Sequence, residues 1–270
     1  MIDKDRGFIN ALLNCINPYA WVTGARNKAF DWNIIESRSF STPTICIGNI
    51  TVGGTGKTPH TEFLVKRLVE KHRVAVLSRG YGRKSKGYIK ATADTPMPLI
   101  GDEPAQIKNK FKAATVAVCE KRVEGIKKLL CEENPPQVIL LDDAYQHRYV
   151  KAGLNILLID SNRPLWQDSV LPFGRMRESI SGIKRADIVI ITKCNNLSSE
   201  QKAWCRNYIK RHSKIGINIA GTKFITRSLV MPSILRDRPM IIREPTQVIS
   251  LITVVVKNGA KKCAKTTIPP

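Results

Sequence analysis

The stretch "PTICIGNITVGGTGKTPHTEFLVKRLVEKH", residues 43–72, decides the fold. It opens on a short apolar run, passes through a loop with Gly48, Gly53, Gly54 and Gly56, and enters a helical pattern near Thr58. Strand, glycine loop and helix in that order form the context of a P-loop. Glycines let backbone N–H groups curl around phosphate oxygens, and the helix N-terminus adds partial positive charge. In such a loop Lys57 reaches the β- and γ-phosphates, and the Thr58 hydroxyl ligates Mg²⁺. The strict pattern G-x-x-x-x-G-K-[ST] has glycine where Thr51 stands here, and Gly53, Gly54 and Gly56 supply the freedom instead. The expected nucleotide-binding residues are Thr51, Val52, Gly53, Gly54, Thr55, Gly56, Lys57 and Thr58.

Outward from the loop, apolar runs recur: "RVAVLSR", "ATVAVC", "QVILLDD", "LNILLID" and "ADIVIIT". Each is continuous rather than alternating, which is how strands buried on both faces of a parallel sheet read. Helical patterns lie between them. "PHTEFLVKRLVEKH" puts Phe63, Leu64 and Leu68 on one side and pairs Glu62 with Lys66 and Lys66 with Glu70; "EKRVEGIKKLLCEE" is a second helix. The expectation is an α/β fold, a P-loop NTPase-like three-layer sandwich with a mostly parallel sheet.

A P-loop needs a second Mg²⁺-holding carboxylate at a neighbouring strand end. "PQVILLDDAYQHR" offers Asp142 and Asp143 after four apolar residues. His147 follows closely and is read equally well as a structural histidine or as part of the site. "SRGYGRKSKG" (78–87) carries Arg79, Tyr81 and Arg83 on a basic glycine-rich loop, suited to phosphate or an anionic headgroup, or simply solvated. "GDEPAQ" (101–106) places Asp102 and Glu103 before a helix, either complementing its dipole or supplying a base to an acceptor hydroxyl. "LPFGRMRES" (171–179) brings Arg175 and Arg177 after a turn, as a phosphate clamp or as exposed charges. Thr192 and Lys193 end a strand where many P-loop proteins contact the base.

Lys and Arg total 44 against 22 acids, a net charge of +22, which asks for an anionic partner. Aromatic residues make up 6%, which disfavours a single-strand binder built on base stacking. Seven cysteines without a C-x-x-C pair read as reduced, mostly buried thiols. No secretory signal and no spanning helix is expected, since no apolar run approaches the required length. The first 35 residues mix Phe8, Leu12, Leu13, Tyr19, Trp21 and Val22 with Arg26 and Lys28. That mixture suits an amphipathic helix in a membrane interface, or one packed on the sheet. From Pro245 to Pro270 there is no acid, and "VISLITVVVKNGAKKC" reads as a strand with an Asn-Gly turn.

Taken in order, "GNITVGGTGKTPHTE", "SRGYGRKSKGY", "GDEPAQ", "LLDDAYQHR", "LPFGRMRES" and "RADIVIITK" strongly resemble the tetraacyldisaccharide 4′-kinase (lipid A 4′-kinase) family. "NPYAWVTGARNKAFDWNI" also looks like that family's entry segment. The resemblance runs from about residue 8 to about residue 215. It implies transfer of the ATP γ-phosphate to the 4′-hydroxyl of an acylated glucosamine disaccharide 1-phosphate. That family works at the cytoplasmic face of the Gram-negative inner membrane, so peripheral association with an anionic membrane is implied as well. Lys57 and Thr58 would serve ATP and Mg²⁺, Asp142 and Asp143 would serve Mg²⁺, and Asp102 resembles the residue that activates the acceptor. Arg79, Tyr81, Arg83, His147, Arg175 and Arg177 would face the substrate. A nucleic-acid role is not expected, because the motif set outweighs the charge count, and a monomer is expected. Residues 1–35 would form the membrane-interface segment, 36–215 the kinase domain, and 216–270 a divergent remnant of a second lobe. The family's late histidine motif has no match after His212, the last histidine. The end reads like a divergent or frame-altered terminus, so the alternative is an ATP-binding member with impaired catalysis.

Overall fold

In the computed structural model the described residues are Leu13, 15–194 and 197–212. The expected C-terminal strand, its Asn-Gly turn and the second-lobe remnant lie outside them, as do Phe8 and Leu12. Seven strands form a mostly parallel sheet, and the described residues fall into two compact units.

One unit draws on Ser37–Gly48 and Lys57–Leu154. It holds β1 (Thr44–Gly48), β2 (Val74–Ser78), β3 (Ile89–Ala91), β4 (Thr115–Val118) and β5 (Val138–Asp142), ordered β3-β4-β2-β5-β1. Its helices are α2 (Lys57–Leu68), the short α3 (Met97–Ile100), α4 (Asp102–Lys110) and α5 (Arg122–Leu130). β1, β2 and β5 are buried at every position, which is why they read as unbroken apolar runs. The β1–β5, β5–β2 and β2–β4 pairs are parallel, with Ile47 opposite Asp142 and Leu77 opposite Leu141. Parallel pairing puts the carboxyl ends of these strands on one edge, where ligands bind in open α/β sheets. β3 is an antiparallel edge strand on β4, and its three residues are too few to have shown a period in the sequence.

α2 begins at Lys57 and buries His60, Thr61, Leu64, Val65 and Leu68. Two sequence expectations change here. Phe63 is only half-buried, and the Arg67 guanidinium lies over its ring, 5.9 Å from the centroid, as a cation–π contact. Glu62 does not pair with Lys66; it reaches Lys110 and accepts a 2.8 Å hydrogen bond from Gln106, so it ties α2 to α4.

The other unit draws on the described residues of Met1–Glu36, Asn49–Gly56 and Asn155–Val248. It contains α1 (Pro18–Asp31), the glycine loop, β6 (Leu154–Asp160) parallel to β7 (Ile188–Thr192), and α6 (Ser199–His212). Asn17 caps α1: its Oδ1 accepts from Tyr19 N and Ala20 N, and its Nδ2 donates to the Val170 and Leu171 carbonyls. Phe30 is the buried residue of α1, whereas Trp21 and Val22 are 59% and 67% exposed. Apolar and basic side chains are thus interleaved around α1 rather than sorted onto two faces. Trp166, Trp204 and Tyr208 cluster where α6 meets the segment after β6, Trp204 stacking on Tyr208 and Trp166 standing edge-on to Trp204. Among the described residues no helix is long and apolar enough to cross a membrane. Four of the six described cysteines are buried, and all six are free thiols.

Candidate active site

β1 ends at Gly48 and the chain enters the loop directly. Gly53 and Gly56 take φ of 112° and 86°, a region closed to most side chains, so these two glycines set the loop's path. Asn49 Nδ2 donates to Thr55 Oγ1 at 2.9 Å, and Thr55 N donates to Gly53 O at 3.1 Å, which curls the loop on itself. From the end of β7, Thr192 Oγ1 donates to Thr55 O at 3.0 Å and Lys193 Nζ donates to Gly54 O at 2.9 Å. Thr192 and Lys193 therefore hold the loop itself rather than offering only a base contact.

The first half of the loop is braced by "LPFGRMRES". Val52 N donates to Arg175 O at 2.7 Å, Arg177 N donates to Ile50 O at 2.8 Å, and Thr51 bridges Met176 in antiparallel fashion. Here the main chains of Arg175 and Arg177 act as a splint. Thr51, which breaks the strict motif, is 7% exposed and lies in that bridge, a place for a side chain rather than a glycine.

Gly56 leads straight into Lys57, the first residue of α2. Lys57 Nζ lies 3.6 Å from Asp143 Oδ1. Thr58 Oγ1 donates to Glu103 Oε1 at 3.1 Å, and Thr61 Oγ1 donates to Asp142 Oδ1 at 3.0 Å. A lysine, two hydroxyls and three carboxylates are thus gathered by α2, the start of α4 and the end of β5. Asp142 is 1% exposed, and burial raises its pKa to about 6, with Glu103 and Asp143 adding to the shift and Thr61 and Lys57 opposing it. Among the described residues no three Asp, Glu, His or Cys side chains form a self-sufficient metal centre. A P-loop Mg²⁺ does not need one: it takes one or two protein oxygens and completes its octahedron with phosphate and water. Thr58, Asp142, Asp143 and Glu103 fit that requirement.

Asp102 opens α4, and Asp102 and Glu103 are the acids of its first turn, where the helix dipole favours them. Gly101 precedes them at φ 89°, and a Cβ there would meet Tyr81 O at 2.8 Å, so the turn carrying the acids packs directly on the "RGYGR" loop. In that loop Tyr81 is 92% exposed and Arg79 is exposed. Arg83 differs: its guanidinium turns inward to Glu120 and to Gly87 O, closing the loop. Through Nη2 Arg83 thus braces the loop, while its Nε and Nη1 are buried without a hydrogen-bond partner among the described residues.

His147 Nε2 accepts from the backbone N–H of Arg122 at 3.3 Å, joining the start of α5 to the turn after β5. The Arg122 side chain is 2% exposed, donates to the Cys119 and Asp142 carbonyls, and is pulled by burial to a pKa of about 10. Arg122, Thr61, Asn49 and Asp160 escaped the sequence reading. Asn49 and Thr61 lie within the glycine-loop motif but at positions its phosphate-binding spacing does not single out, and burial of an arginine leaves no mark in the chain's text. Glu103 was visible beside Asp102, but its contact with Thr58 depends on how α4 lies along α2.

Strand, glycine loop, helix and strand-end aspartates define a P-loop kinase fold. The family model described as LpxK, Tetraacyldisaccharide-1-P 4'-kinase, matches residues 10–230. The chain is 58% identical over 182 residues to a tetraacyldisaccharide 4'-kinase of Bacteroides fragilis strain YCH46, covering 66% of this chain and 48% of that one. It is 50% identical over 193 residues to the Flavobacterium johnsoniae protein of the same name, covering 71% and 57%. A crystal structure of an "apo" form of LpxK from Aquifex aeolicus in complex with ATP matches with a TM-score of 0.63 and 32% identity, over 70% of this chain and 60% of that one. The chain belongs to the tetraacyldisaccharide-1-P 4'-kinase family. It spans about half the length of the Bacteroides relative it matches.

Proposed function

We propose that this protein transfers the γ-phosphate of ATP to the 4′-hydroxyl of a tetraacyldisaccharide 1-phosphate in lipid A assembly. The observation that carries this reading is the gathering of Lys57, Thr58, Glu103, Asp142 and Asp143 at the end of β5. The ATP in the Aquifex aeolicus structure and the shared name of the relatives support it. In this reading Thr51–Thr58 hold the phosphates. Thr58, Asp142 and Asp143, joined by Glu103, hold Mg²⁺, which supplies charge neutralisation when bound. Lys57 contributes a fixed positive charge to the phosphates. Asp102 orients the acceptor hydroxyl and accepts its proton as the hydroxyl oxygen bonds to the γ-phosphorus. The bond from that phosphorus to the bridging oxygen breaks, and ADP leaves.

We assign acceptor contact to Arg79 and Tyr81, exposed on the loop that packs on Gly101, and to the side chains of Arg175 and Arg177. His147 and Arg83 support the framework. The exposed Trp21 and Val22 with Arg26 and Lys28 suit an anionic bilayer and support a peripheral position on the cytoplasmic face of the inner membrane; in this reading the protein acts as a monomer. The relatives' names and the gathering of Lys57, Thr58, Asp142 and Asp143 favour turnover over nucleotide binding alone.

The test is transfer of label from [γ-³²P]ATP to detergent-dispersed disaccharide lipid by the full chain. Label should appear in the lipid, vanish with EDTA, and fall by about 10²–10⁴-fold in D102N. A wild-type chain that binds ATP and leaves the lipid unlabelled sinks the transfer reading.

A further inference from the structure

Beyond β6 the chain makes a tight turn, Asp160–Arg163, that no motif marks. Asn162 N donates to Asp160 Oδ1 at 3.0 Å, and Arg163 N donates to Asp160 O at 3.1 Å. The Asp160 side chain is 4% exposed, and its Oδ2 accepts from Lys193 Nζ at 2.6 Å. The same ammonium donates to Gly54 O. Ser161 Oγ donates to Lys193 O at 2.8 Å, fixing the turn to the end of β7. The turn is therefore locked to the glycine loop through one lysine.

Locking the turn places Arg163 over Gly53. A Cβ built on Gly53 would lie 3.0 Å from Arg163 Nη1, so the guanidinium lies against this glycine, whose φ of 112° already excludes most side chains. Arg163 is exposed, and among the described residues no carboxylate pairs with it. Both Asp160 oxygens are taken by Asn162 N and Lys193. An unpaired guanidinium held beside a phosphate-loop glycine matches a polyphosphate, whose oxygens accept its parallel N–H donors.

We propose that Arg163 is a phosphate-contacting residue of the nucleotide site, supplied in cis by the turn after β6, with Lys193 and Asp160 as the positioning pair that aims it. The proposal rests on the ATP reading above. It gives the loop a second side-chain cation besides Lys57, from a different strand end.

The test is fluorescence titration of the full chain with mant-labelled ATP, ADP and AMP, for wild type, R163A, R163K and K57A. R163A should weaken ATP binding by about 10- to 100-fold, the loss expected for a charge-assisted contact. ADP and AMP should weaken progressively less, and R163K should recover part of the ATP affinity. A loop merely loosened by the substitution would lose all three nucleotides alike, which overturns a direct contact. So does wild-type ATP affinity in R163A while K57A binds weakly. Thermal melting accompanies each titration; should R163A melt early, R163K decides, with unchanged ATP affinity counting against the proposal. A wild-type chain that binds no ATP instead removes the nucleotide reading, and this inference with it.

Discussion

Asp142 sits at the end of a strand buried along its whole length, so its carboxylate leaves water when the chain folds. The folded protein holds its proton up to about pH 6, whereas the unfolded chain releases it near the ordinary aspartate value. Between those values the native state binds more protons than the unfolded state, so stability falls as pH rises. In EDTA, the urea midpoint should drop between about pH 4 and 6, by the equivalent of up to about 3 kcal/mol from this group. D142N should flatten that slope; an unchanged slope in D142N would assign it elsewhere. The aspartate pair was legible in "LLDD" because motif spacing encodes it. Glu103 was legible only as one of two acids before a helix, since its partner Thr58 stands 45 residues away in the chain.

At the scale of elements, α1 depends on one side chain. Asn17 is fully buried and makes four hydrogen bonds, two to the helix's first turn and two to the Val170–Leu171 main chain. N17A removes the cap and leaves two carbonyls short of a donor, a combined loss of roughly 2–4 kcal/mol. Urea unfolding should show that loss. Because the Val170–Glu178 segment also bridges Thr51 and Val52, mant-ATP affinity should fall in the same variant. Retained stability would show that α1 is held by packing instead. Six strands stood out in the sequence as apolar runs, and each is present. The edge strand β3 did not, because at three residues its pairing to β4 comes from the partner's edge rather than from any pattern of its own.

For the molecule as a whole, a net charge of +22 and exposed Trp21 and Val22 predict binding to anionic membranes. Co-sedimentation with vesicles containing phosphatidylglycerol should exceed that with neutral phosphatidylcholine vesicles and weaken from about 0.1 to 0.5 M salt, as screening shortens the electrostatic reach. The double variant W21S/V22S should lose part of the bound fraction that survives high salt. Equal binding to neutral vesicles would leave the charge without a membrane role.

The sequence by itself determined the strand–loop–helix order, the buried parallel sheet, the aspartates at the end of β5 and the family. Each of these is written locally, in the period of apolar residues or in a motif a few residues long. The tertiary structure alone decided which groups meet. It turned Arg83 inward as a brace, set Glu103 on Thr58, buried Arg122 behind Asp142, splinted the glycine loop with the main chain of Arg175 and Arg177, and brought Arg163 over Gly53. Such contacts join residues far apart in the chain, and no local pattern encodes them; they follow from strand register and from the closeness of approach that glycine permits.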